Sequence, residues 1–121
     1  MSFDDRDGYI WMDGEFVDWR DARIHVLTHT LHYGVGVFEG IRAYATDQGP
    51  AIFRLNRHVE RLLQSAKIMG MEIPYTFDVI KQAAIDAVAK NNLTSGYIRP
   101  MAFYGSEAMG LHAKGLKVHL S

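Results

Sequence analysis

HTLHYGVGVFEGIRAY, residues His29 to Tyr44, sets a tyrosine, clustered glycines, a phenylalanine, a carboxylate and an arginine into one turn and the extended stretch after it. From Val37 to Tyr44 the residues suit a strand, whose neighbouring side chains point to opposite faces. One face then carries Phe38, Gly40, Arg42 and Tyr44; the other carries Val37, Glu39, Ile41 and Ala43. The second set is apolar apart from Glu39, a carboxylate that must find a partner or an edge if that face lies on a core. Gly40 in mid-strand lets another group approach closely. Phe38 offers an apolar wall and Arg42 an anion-binding fork, which together suit a small ligand with a greasy part and a carboxylate or phosphate. An edge strand with a solvated arginine accounts for the same residues without a ligand.

Upstream of this run, Tyr9 to Trp19 reads as a hairpin, because two strand-like segments flank Asp13-Gly14, a pair that favours a tight primed turn. Asp21 to His32 reads as a loop followed by a short helical turn that delivers Tyr33-Gly34 to the strand. Downstream, Gln48-Gly49-Pro50 marks a turn, so Val37 to Tyr44 and Ala51 to Arg54 are expected to pair antiparallel. A helix then starts near Asn56, with Leu55, Val59, Leu62, Leu63, Ala66 and Met69 as its buried stripe and Gly70 as its stop. A second runs from Thr76, an N-cap, to Asn91, with Phe77, Ile80, Ala83, Ala84, Ala87 and Val88 on its apolar side. Tyr97 to Tyr104 reads as a strand, and Lys117 to Ser121 begins another that the chain end cuts off. This order predicts an α+β fold, a mainly antiparallel sheet covered on one face by two helices.

A chain of 121 residues with 48% hydrophobic content is sized for one domain with one core. Its net charge of -1, without a long run of either sign, makes no electrostatic case for nucleic acid or a membrane surface. It has no cysteine, so disulfides and thiolate chemistry are excluded, as suits a reducing cytoplasm. The acidic start MSFDDRDG is unlike a signal peptide, and no apolar run approaches the roughly 20 residues of a spanning helix. A cytoplasmic location is expected.

Tyr97, Arg99 and Met101 share one strand face and repeat the pattern of an aromatic two residues before an arginine. Pro100 keeps Arg99 extended and cannot donate to a ladder, so the segment suits a sheet edge beside a cleft. Arg61 lies at the margin of the first helix's apolar stripe, where a solvated role and a phosphate contact are both open. Arg54, Arg57 and Arg61 form either an anion site or a wet face. His25, His29 and His32 have a spacing that would align them on a regular helix, yet no acidic residue or thiol completes a metal set, and Thr28, Thr30 and Gly34 oppose a long helix. No metal is expected. The glycines at 34, 36 and 40 miss the dinucleotide spacing and lack a βαβ frame, and Ser106 lacks the frame of a nucleophile elbow.

HYGVGVFEGIRAY at 32 to 44, HVERLLQSAKIMGM at 58 to 71, NNLTSGYIRP at 91 to 100 and GSEAMGL at 105 to 111 closely resemble the branched-chain amino acid aminotransferases, class IV enzymes of pyridoxal phosphate fold type IV. The likeness runs through almost the whole chain, in order, and corresponds to the family's small N-terminal domain. It implies that Arg61 contacts the phosphate of pyridoxal 5'-phosphate, that Phe38, Tyr97 and Arg99 line the substrate pocket, and that Arg42 lies near it. By the same likeness Tyr33, Met109 and Leu111 belong to loops completing the pocket of a neighbouring subunit, in a homodimer. The implied reaction moves an amino group between leucine, isoleucine or valine and 2-oxoglutarate, in branched-chain amino acid biosynthesis or degradation. Lys67, Lys81, Lys90, Lys114 and Lys117 do not match the family's Schiff-base lysine, which would lie in a larger domain beyond residue 121. No catalytic residue is therefore expected in this chain, and alone it is expected to be inactive. D-amino acid aminotransferases and aminodeoxychorismate lyases share the fold but differ around the Tyr-Gly and Phe-Glu pairs. A non-catalytic oligomerisation module is the reading from a different class.

Overall fold

The computed structural model describes residues 2–112 and 114–121. The Asp13-Gly14 pair forms the expected tight turn, with φ 50° and 101°, between β1 (Tyr9–Met12) and β2 (Glu15–Asp18). A short α1 (His29–Tyr33) follows, as the sequence predicts. The Thr30 hydroxyl donates to the Val35 carbonyl at 2.7 Å and accepts the Tyr104 backbone N–H at 2.8 Å, pinning α1 to the sheet beneath it.

The expected strand from Val37 to Tyr44 is two strands in two sheets. β3 (Gly36–Phe38) ends before Glu39, and β4 (Ile41–Thr46) begins after Gly40. The Tyr97 to Tyr104 strand divides likewise, into β6 (Gly96–Ile98) and β7 (Met101–Tyr104). Both breaks lie side by side, since β3 pairs with β7, β4 pairs with β6, and the Glu39 N–H donates to the Pro100 carbonyl at 2.9 Å between them. Pro100 has no N–H to return, so the ladder is interrupted there and the ribbon passes from one sheet to the other. The face assignment survives the break: Ile41 and Ala43 are buried with Glu39, while Phe38, Arg42 and Tyr44 are exposed.

β5 (Gly49–Ile52) lies earlier than Ala51 to Arg54 because the turn is tighter, with Thr46 opposite Gly49. Pro50 is tolerated because β5 is an edge strand. β8 (Val118–Leu120) completes the sheet β3-β7-β8. All pairings are antiparallel, so the α+β class holds, with the sheet divided into three.

α2 (Leu55–Ile68) buries Leu55, Val59, Leu62 and Ala66, and α3 (Phe77–Lys90) buries Ile80, Ala84 and Val88. Thr76 caps α3, its hydroxyl accepting the Val79 N–H. Met69 was expected in the α2 stripe and is instead exposed. The chain reverses at Gly70 (φ 71°), and Met71 turns inward, its N–H bonded to the Ala66 carbonyl. The helix stripes meet Ile41, Ala102, Tyr104 and Leu120 from the strands in one core. Leu62 and Val59 are almost wholly enclosed, each contributing about 1.5–3 kcal/mol by burial.

Candidate functional site

The double strand break positions the polar groups. Phe38 ends β3 at the break, Arg99 lies within it between β6 and β7, and the Arg99 guanidinium lies 4.4 Å from the centre of the Phe38 ring. The same guanidinium donates to the Tyr97 hydroxyl at 3.0 Å and sits 5.4 Å from that ring's centre. A cation over aromatic faces is attracted by the rings' quadrupoles and still has donors to spare. Phe38 and Tyr97 are more than half exposed, so this wall is open to a ligand. Arg42 stands opposite Tyr97 in the β4–β6 register. The role of Gly40 is now specific: a Cβ there would fall on the Tyr97 hydroxyl, so only glycine leaves that ring its place.

On the other face of the break, the Glu39 carboxylate is buried and has found the partners it requires. Arg61 on α2 donates to it from Nε (2.8 and 3.1 Å) and Nη2 (2.8 Å), and His58 Nδ1 donates at 2.7 Å. Hydrogen bonds from Arg61 hold the Glu39 carboxyl below the ordinary carboxylate range against the opposing effect of burial, with His58 assisting. Arg61 is correspondingly raised by Glu39. Its side chain remains two-thirds exposed, and among the described residues it makes no other hydrogen bond. The outer edge of the fork is thus free to take an anion, which fits a phosphate group. Arg57 pairs instead with Glu60, and Arg54 lies near the Phe53 ring, so the three arginines do not converge.

Tyr33 and the 109–111 loop are linked through His29, which the sequence offered only as a member of a histidine series. His29 is buried, its ring 4.4 Å from the Tyr33 ring, and its Nε2 donates at 2.6 Å to the carbonyl of Gly110, between Met109 and Leu111. Nothing in the spacing of the histidines pointed to this. The His29 to His32 segment is helical but His25 lies outside it, and His25 and His32 bond separately to local backbone. Among the described residues no group of three or more His, Cys, Asp or Glu side chains could hold a metal.

A cleft of about 610 Å³ opens between β1, α3 and residues 96–101, but its walls are mainly core residues such as Trp11, Val59, Ile80 and Ala84. Tyr97 and Arg99 also line it, whereas Phe38, Arg42 and Arg61 do not, so the cleft adjoins the break without containing the whole candidate site. No helix among the described residues is long and apolar enough to cross a membrane.

Known proteins share this fold and much of this sequence. The branched-chain-amino-acid aminotransferase of Pseudomonas aeruginosa is 68% identical over 120 residues, covering 99% of this chain and 39% of that protein. The crystal structure of the Escherichia coli branched-chain amino acid aminotransferase superposes with a TM-score of 0.90 at 45% identity, over 95% of this chain and 38% of that one. The T.th. branched-chain amino acid aminotransferase complexed with N-(5'-phosphopyridoxyl)-L-glutamate superposes with a TM-score of 0.88 at 46% identity, over 95% and 39%. The chain thus spans about two fifths of the length of the relatives it matches. The family model for amino-transferase class IV matches residues 36–121, which include the whole break and the two long helices α2 and α3, and the chain belongs to that family.

Proposed function

We propose that this chain is the N-terminal small domain of a pyridoxal-phosphate-dependent aminotransferase that exchanges amino groups between branched-chain L-amino acids and 2-oxoglutarate. The carrying observation is the exposed Arg99 fork set against Phe38 and Tyr97. Such a pocket must take an apolar side chain in one half-reaction and a carboxylate in the other, and this wall offers aromatic surface and a cation at one place. When bound, pyridoxal phosphate supplies the electron sink for the transfer. Arg61 would hold its phosphate, Phe38 and Tyr97 would orient the substrate, and Arg99 would pair with the distal carboxylate of glutamate.

Tyr33, Met109 and Leu111 reach the pocket of a second subunit in this reading. Support comes from the exposed apolar surface of Leu27, Leu31, Tyr33, Met109 and Leu111, which suits an interface. The active assembly is then a cytoplasmic homodimer. The proton-shuttling lysine and the partner of the pyridine nitrogen lie outside these residues, so the isolated chain is expected not to transaminate.

Arg99→Ala in a full-length protein carrying this segment tests the assignment by separate half-reactions. The glutamate half-reaction should slow far more than the leucine half-reaction. Equal losses in both would remove Arg99 from its role.

A further inference from the structure

The geometry points to Glu39, braced by His58, as the positioning residue that orients the Arg61 fork toward the cofactor phosphate. The inference rests on the reading of Arg61 just given and assigns a role to a residue that touches neither cofactor nor substrate.

Exposure separates the members of the cluster: the Glu39 side chain is 4% exposed, His58 19% and Arg61 66%. The anchor is therefore inside and the working end outside. A guanidinium is planar, so contacts along its Nε–Nη2 edge fix both its plane and the direction of the opposite edge. Glu39 makes those contacts with both oxygens, and Oε1 also accepts from His58 Nδ1, which holds the carboxylate against rotation. A long arginine that would otherwise sample many rotamers is thus ordered before any anion arrives, which raises affinity by lowering the ordering cost of binding.

The position of Glu39 in the chain adds a second consequence. It sits between Phe38, a pocket wall, and Gly40, over which the Tyr97 hydroxyl lies. Its backbone N–H is bonded to Pro100. The phosphate fork and the substrate wall are consequently referenced to the same residue.

The opposing effect is electrostatic, since a carboxylate beside a cation lowers the field available to a phosphate. Orientation and neutralisation predict opposite signs for the same substitution. Full-length apoprotein, titrated with pyridoxal phosphate and with phosphate-free pyridoxal by tryptophan fluorescence, separates them. Glu39→Gln should weaken pyridoxal phosphate binding about 5- to 30-fold, leave pyridoxal within about twofold, and add no loss in an Arg61→Ala background. Glu39→Asp keeps the charge but retracts the carboxylate by one methylene, and should also weaken the phosphate ligand selectively. It stands in if the glutamine variant does not fold.

Unchanged or tighter pyridoxal phosphate binding, equal loss of both ligands, or the same loss without Arg61 would each overturn the assignment. Failure of both variants to fold, with Arg61→Ala folded, would make Glu39 a structural carboxylate and overturn it too. Arg61→Ala that binds both ligands like the parent would instead remove Arg61 as the phosphate contact, and the inference with it.

Discussion

At the strand break one buried carboxylate, Glu39, is shared by Arg61 and His58, whereas at the β1–β2 turn one ring, His119, is shared by two carboxylates, Asp13 and Glu107. His119 Nδ1 bonds to Asp13 at 2.6 Å and Nε2 to Glu107 at 2.9 Å, so both ring nitrogens are used. The remaining carboxylate oxygens take the backbone N–H groups of Leu120 and Lys117. That cluster is closed, and it clips the hairpin turn and the loop after β7 to β8. The Glu39 cluster leaves the outer edge of its cation open. Similar groups thus make a fastening in one place and leave an open cation edge, the proposed phosphate contact, in the other, according to whether the donors are exhausted internally.

The largest expected difference is in cofactor affinity. In a full-length protein, Arg61→Ala should weaken pyridoxal phosphate binding about tenfold or more, while His119→Phe should leave it unchanged. Equal losses would break the distinction. Stability reverses the weighting at the turn: His119→Phe leaves Asp13 and Glu107 without their shared partner and should cost about 1–3 kcal/mol in urea unfolding.

The pH dependence sharpens the contrast further. Burial would lower the His119 pKa, but hydrogen bonds to Asp13 and Glu107 raise it above the ordinary 6.5. Its stabilisation is therefore fully present below 6.5 and lost as pH rises through the folded value. Glu39 is lowered from 4.5 by Arg61, so its contribution is present above 4.5 and lost as pH falls through the folded value. Unfolding curves should accordingly show the His119→Phe deficit shrinking on the alkaline side and the Glu39→Gln deficit shrinking on the acid side. The same direction for both would contradict the charge assignments.

The smallest effect belongs to His29. His29→Leu removes the donor to Gly110 and should raise the substrate KM by about fivefold, the worth of one hydrogen bond, without altering cofactor affinity. A shift in cofactor affinity instead would place the 109–111 loop near the phosphate.

Legibility in the sequence followed the range of each interaction. Asp13-Gly14 defines its turn through local backbone preference, and the α2 and α3 stripes and the alternation around Phe38 follow from periodicity. Family motifs around Phe38, Tyr97 and Arg99 marked residues that the structure brings together. The break at Glu39-Gly40 was hidden because it depends on Pro100, a residue of the distant segment between β6 and β7. Met69 was misplaced because the turn at Gly70, and not the helical period, decides which methionine is buried.

By itself the sequence determined the element types, the apolar faces and the need of Glu39 for a partner, since these depend on neighbours a few positions apart. Only the tertiary structure decided that the partner is Arg61, 22 residues away, and that His119 closes onto Asp13, 106 residues away. The reason is physical: a buried charge demands compensation, but which of many donors supplies it depends on how the chain packs.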